Sequence, residues 1–125
     1  NTYINSPGFL DRDYSVKECP RVYFAGQMTG VEGYIESAAS GFLAGLSAAC
    51  TLTGHPFPDF TDKTMIGAMA KYVSEGGESD FQPMNANFGI IAPLGVKIKG
   101  GKRPRYEAYA ERALGEIERI RSEIM

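Results

Sequence analysis

Arg21-Val22-Tyr23-Phe24-Ala25-Gly26 is a short apolar run that stops on a glycine. Gly30 and Gly33 follow, and then Tyr34-Ile35-Glu36-Ser37-Ala38-Ala39-Ser40-Gly41-Phe42-Leu43-Ala44-Gly45-Leu46-Ser47-Ala48-Ala49-Cys50. This order of apolar run, glycine turn and long segment of small and apolar residues decides the fold class. A short run without polar alternation is the pattern of a strand covered on both faces in a parallel sheet. In the segment after the turn, Ile35, Ala39, Phe42, Leu46 and Ala49 recur at helical spacing, and Ala38, Gly41, Gly45 and Ala48 mark a second, narrow side. A glycine inside a helix costs about 1 kcal/mol relative to alanine. Gly41 and Gly45 therefore predict a helix pressed closely onto a sheet. One strand does not make a sheet, so its partners are expected elsewhere, in the rest of a longer chain or in another subunit. The expected class is an α/β fragment.

Working outward toward the N-terminus, residues 2–5 read as a strand, with Tyr3 and Ile4 supplying β-propensity. That strand is already under way at Asn1, which predicts that the chain is a piece of something longer. Ser6-Pro7-Gly8 breaks it, and residues 9–20 read as a solvated loop or weak hairpin. Toward the C-terminus, residues 54–62 carry Pro56, Pro58 and the lone His55 and read as a loop. Residues 64–74 predict a second helix with Met65, Ile66, Met69 and Val73 on one face, stopped at Glu75-Gly76-Gly77. Residues 79–93 are irregular and 97–105 form a basic loop. Pro104 suits the first turn of a last helix. There Tyr106, Tyr109, Ala110, Ala113, Leu114, Ile117, Ile120 and Ile124 form one stripe, with Glu107, Glu111, Glu118 and Arg119 outside. The expected organisation is a unit over residues 1–54 and a mostly helical tail over 55–125 packed on the same body.

The chain has 125 residues, about one domain's worth, and a formal net charge of −2, so no global field demands a nucleic-acid partner. Cys19 and Cys50 match neither CxxC spacing nor a disulfide framework and read as reduced thiols in a cytoplasmic protein. No run reads as long enough for a membrane span, and no signal peptide is visible. No metal-ligand cluster and no Ser-His-Asp order stands out, so no metal is expected.

The chemistry concentrates at the glycine turn. A helix start presents unpaired N–H groups and partial positive charge. Glycines at 26, 30 and 33 would let a bulky ligand lie against bare backbone. Such a shelf suits a phosphate or an electron-rich carbonyl, with Glu36 stabilising the helix or binding a hydroxyl. The spacing is not GxGxxG, and an ordinary structural turn fits it equally well. Lys97, Lys99, Lys102, Arg103 and Arg105 contain no acid among them; they read as a solvated loop or as a patch for RNA phosphates.

Three motifs, in order, carry a resemblance. Phe24-Ala25-Gly26-Gln27-Met28-Thr29-Gly30-Val31-Glu32-Gly33-Tyr34-Ile35-Glu36-Ser37-Ala38-Ala39-Ser40-Gly41 resembles the C-terminal FAD-contacting segment of the folate- and FAD-dependent tRNA (uracil-5-)-methyltransferase family. That family is related to the glucose-inhibited division protein A family. Phe81-Gln82-Pro83-Met84-Asn85-Ala86-Asn87-Phe88-Gly89 and the opening Asn1-Thr2-Tyr3-Ile4-Asn5-Ser6-Pro7 look like the folate-dependent branch. The resemblance covers nearly the whole chain.

The resemblance implies the last strand and helix of a Rossmann-type FAD domain, followed by a mostly helical C-terminal region. It implies a flavoenzyme that makes 5-methyluridine in the tRNA T-loop from methylenetetrahydrofolate, with reduced FAD regenerated by NAD(P)H. The family's N-terminal GxGxxG and its catalytic cysteines have no counterpart here, so catalytic residues stay unassigned and this chain alone is expected to be inactive. Carried over, Gly26, Gln27, Met28, Thr29 and Gly30 would lie near the isoalloxazine or ribitol. Gly33, Tyr34, Ile35 and Glu36 would aim the helix start at the flavin pyrimidine edge. Asn85 and Asn87 are folate or flavin contacts, or turn-forming amides. The implied partners are tRNA and the rest of the same polypeptide, with oligomeric state open. The competing readings are the sister division-protein-A type of wobble-uridine enzyme, a non-catalytic RNA-binding or interaction module, and a fragment that self-associates through its orphan strand.

Overall fold

The computed structural model describes residues 2–77 and 79–124; the strand expectation at Asn1 lies outside them. The elements in chain order are β1 (Ser15–Val16), β2 (Cys19–Tyr23), a 3-10 turn (Gln27–Thr29), α1 (Tyr34–Thr53), α2 (Met65–Glu75) and α3 (Lys102–Ile124). The result is a small α/β fragment with two strands and three helices.

The strands correct the sequence reading. β2 is not a parallel strand covered on both faces: it pairs antiparallel with β1, and most of it is exposed. It also stops at Tyr23, short of Phe24 and Ala25. Its partner is local, the neighbouring segment that loop closure makes least costly to reach. Residues 2–5 form no strand; the Ile4 amide instead donates to the Met28 carbonyl (2.8 Å) and so underpins the 3-10 turn.

α1 begins after Gly33 as expected, but it is rotated from the predicted face. Its buried residues are Ser40, Leu43, Ala44, Ser47 and Cys50, while Ile35, Phe42 and Ala49 are not among them, and Ile35 and Phe42 are exposed. Hydrogen bonds explain the rotation. Ser47 Oγ donates to Asp13 Oδ2 (2.6 Å) and lies 3.2 Å from the Tyr23 hydroxyl, and Ser40 Oγ accepts from the Gly26 amide (2.7 Å). A buried hydroxyl is inexpensive once satisfied, so the serine face turns inward toward the hairpin and glycine turn. Gly41 and Gly45 consequently face open space, and the close helix-on-sheet contact predicted for them is not made within this chain.

α1 is also, by length and composition, apolar enough to cross a bilayer, contrary to the sequence expectation. Here 28% of that apolar stretch is buried; α1 contacts α2 and gives Leu43 and Ala44 to the main core. The main core joins both halves of the chain, drawing Leu10, Tyr14, Val16 and Val31 together with Phe60, Met69, Val73, Phe81 and Ile120. α3 uses its stripe sparingly. Only Tyr109 and Ile120 are buried, and Leu114 is 67% exposed, so the predicted continuous contact is intermittent.

Candidate functional site

Downstream of β2 the chain makes two glycine-dependent turns before α1. Thr29 is fully buried; its amide and hydroxyl both donate to the Gly26 carbonyl (3.0 and 2.8 Å). Ser6 Oγ donates to the Thr29 carbonyl (2.6 Å). Thr29 therefore shapes the turn from inside, and its side chain does not reach outward. Gly30 (φ 100°) and Gly33 (φ 102°) both lie where glycine is favoured. A Cβ on Gly30 would run into the Phe81 ring, and one on Gly33 into the Glu36 carboxylate.

The second motif is stitched directly to this turn. Val31 and Met84 form a parallel bridge: the Glu32 amide donates to the Met84 carbonyl (3.0 Å) and the Met84 amide to the Gly30 carbonyl (2.8 Å). Beyond the bridge, Asn85 Nδ2 donates to the Glu32 carbonyl (2.9 Å) and to Glu36 Oε2 (3.4 Å), and the Ala86 amide donates to Glu36 Oε2 (2.9 Å). The Ala86 amide foremost, then Glu36's own amide and the Asn85 side chain, hold the Glu36 carboxyl below the usual carboxylate range against an opposing effect of burial. Glu36 is thus a clamp between the helix start and the segment at residues 84–86. Asn87 closes a local turn, donating to the Asn85 carbonyl (3.0 Å) and accepting from the Gly89 amide (2.8 Å).

Among the described residues, two amides at the helix start have no partner. The first intrahelical bond runs from the Ser37 amide to the Gly33 carbonyl (3.0 Å), so the amides of Tyr34, Ile35 and Glu36 precede the ladder. The Glu36 carboxylate covers its own. Tyr34 (97%) and Ile35 (83%) are exposed, as are Gln27, Met28 and Gly33. Sequence reasoning grouped residues 26–36 as one candidate surface and did not find the cavity that Ile35 and Glu36 line. That cavity, about 410 Å³, lies between α1 and α2, with Tyr14, Ile35, Glu36, Met65, Met69 and Ala86 among its walls. Burial pushes the Tyr14 phenol well above its ordinary pKa. No sequence signal predicts a wall built from helices some thirty residues apart.

The predicted basic loop over 97–105 is shorter in the structure: α3 begins at Lys102, so Lys102, Arg103 and Arg105 lie in its first turn. Lys97, Lys99, Lys102 and Arg105 line a groove, whereas Arg103 pairs with Glu107 (3.1 Å). Cys19 is exposed, Cys50 is buried, and neither is in a disulfide. Among the described residues no group of His, Cys, Asp or Glu is placed to hold a metal ion.

Residues 1–56 match the family model described as glucose inhibited division protein A. The chain is 53% identical, over 96% of its length, to the methylenetetrahydrofolate–tRNA-(uracil-5-)-methyltransferase TrmFO of Bacillus licheniformis. It is 51% identical over 96% of its length to that of Bacillus subtilis, and 48% identical over 99% to that of Shouchella clausii. The chain belongs to the TrmFO and division-protein-A related family. It spans just over a quarter (27–28%) of the length of these TrmFO relatives.

Proposed function

We propose that this chain forms the flavin-facing edge of a tRNA (uracil-5-)-methyltransferase that uses methylenetetrahydrofolate and FAD. The observation that carries the reading is the uncovered start of α1. Among the described residues the amides of Tyr34 and Ile35 have no backbone partner, next to a Gly33 whose open side is closed by Glu36 and Asn85, and Ile35 lines a largely apolar cavity. The near-50% identity to TrmFO proteins over almost the whole chain supports the same reading.

The residues present fit the pyrimidine edge of a flavin. Amides at a helix start favour an electron-rich oxygen, and the partial positive charge favours a reduced, anionic ring. When bound, FAD supplies the reducing electrons and methylenetetrahydrofolate the one-carbon unit, with NAD(P)H as the source of reducing equivalents. This chain's residues bind and orient. Gly26, Gln27, Met28, Gly33, Tyr34 and Ile35 form the contact surface, while Thr29, Gly30 and Glu36 hold its shape. Asn85 and Asn87 set the course of the neighbouring segment, where folate would approach. The diphosphate cradle, the catalytic cysteines and the remaining strands of a Rossmann-type sheet belong, in this reading, to the rest of a longer polypeptide acting in the cytoplasm. The basic loop supplies contacts to tRNA.

The test uses the full-length protein. It is expected to purify yellow, or to take up FAD, and to methylate unmodified tRNA from methylenetetrahydrofolate. Gly33→Val, which forces a side chain into the Glu36 carboxylate and a disfavoured backbone region costing about 1–3 kcal/mol, is expected to lower flavin occupancy at least several-fold. A colourless protein that cannot be loaded with FAD, or a Gly33→Val variant with full occupancy, refutes the reading.

A further inference from the structure

We propose that the groove between loop 93–102 and the start of α3 tracks the phosphates of a single-stranded RNA loop, and that Phe88 couples this groove to the α1 start. The inference rests on the reading above that the full protein acts on tRNA, and adds where and how the RNA is held.

The groove encloses about 850 Å³ and is lined by Lys97, Lys99, Lys102 and Arg105, with no acidic residue in its walls. None of these four cations makes an ion pair among the described residues. The chain as a whole carries a net charge of −2, so this is a local positive field and not a general one. The loop is anchored where it begins. Arg112 forks to the carbonyls of Ala92 (2.5 Å) and Pro93 (2.9 Å), and the Ala92 amide donates to the Asp62 carbonyl (2.8 Å). The other end of the loop runs into α3 at Lys102. Cations with no acidic partner among the described residues leave their charge to a polyanion.

An acidic protein would satisfy the charges equally, but the wall of the groove favours RNA. Tyr109 lines the groove and stacks on Phe88 (5.0 Å), and Phe88 stacks on Tyr106 (4.4 Å, 12°). Phe88 and Tyr106 are each 37% exposed, and Arg105 lies over the Tyr106 ring (5.2 Å), so an aromatic cluster that already stacks on itself adjoins the cations. Unpaired bases stack on such rings while phosphates follow the basic side chains. The same Phe88 lies two residues from Ala86, whose amide is bonded to Glu36 on the helix start. Two residues span at most about 7 Å. A strand held in the groove is therefore led by a short, fixed tether to the shelf.

The experiment uses the full-length, FAD-loaded protein and an unmodified tRNA transcript. Combined Lys97→Ala, Lys99→Ala and Lys102→Ala is expected to weaken tRNA binding by at least tenfold. It should also reduce the slope of log affinity against log salt by about two to three, at about 0.7–0.9 for each phosphate no longer neutralised. Flavin occupancy should stay unchanged. Phe88→Leu is expected to weaken binding by roughly five- to a hundredfold, the range for losing one stacked base, and Phe88→Tyr to restore it. If the lysine variant keeps its affinity and salt slope while tRNA methylation is intact, the groove proposal falls and the enzyme reading stands. If Phe88→Leu binds like wild type, the coupling through Phe88 falls. A flavin-loaded wild-type protein with no affinity for tRNA overturns both the groove and its premise.

Discussion

Glu36 shows how one side chain can serve a site without facing its ligand. Its carboxylate closes over Gly33, accepts from the Ala86 amide, and receives the Asn85 side chain. The folded pKa lies below the ordinary value of about 4.3. A carboxyl depressed on folding stabilises above its unfolded pKa, and that contribution is lost as pH falls through the lower folded value. Acidification through that lower folded value is therefore expected to release residues 84–86 from the helix start. In an NMR titration the Ala86 amide shift should move with that step and stay flat in Glu36→Gln. A wild-type Ala86 amide that ignores the step would contradict the clamp. The sequence placed Glu36 in the first helical turn but could not show its partner, fifty positions along the chain.

At the scale of elements, all three helices were legible because their signals are local. Gly33 before α1, Thr64 capping α2 by accepting from the Gly67 amide, and Pro104 in the first turn of α3 mark their starts. The faces and the strand partner were not legible. α1 turns its serines inward because Asp13 and the Gly26 amide satisfy them, a tertiary fact that apolar periodicity omits. Asp13 is the centre of that arrangement: it accepts from the Ser15 amide (3.0 Å), the Ser15 hydroxyl (2.5 Å) and Ser47. Asp13→Ala is expected to destabilise the fold by about 1–3 kcal/mol, since it leaves buried donors unpaired. Denaturant unfolding checks this, and a variant within about 0.5 kcal/mol of wild type would show that the rotation of α1 has another cause.

For the molecule as a whole, the unused surfaces are as informative as the core. Exposed β2, the open glycine side of α1, and exposed Ile35 and Phe42 are apolar or bare surfaces that this chain leaves uncovered. The strand that looked doubly covered in sequence carries that apolar pattern even though little in the described residues covers it. A chain spanning 27–28% of its relatives fits a reading in which other segments do so. The chain studied alone is accordingly expected to show no stoichiometric FAD binding, as followed by flavin fluorescence on titration. Tight one-to-one binding would mean that residues 26–36 need no diphosphate cradle.

The most direct measurement is a structure of the full-length protein with FAD bound. The account predicts the pyrimidine edge of the flavin within hydrogen-bond reach, about 3 Å, of the Tyr34 or Ile35 amide. It also predicts Glu36 still joined to Ala86. A flavin ring resting elsewhere, with those two amides in solvent or covered by another part of the polypeptide, would contradict it.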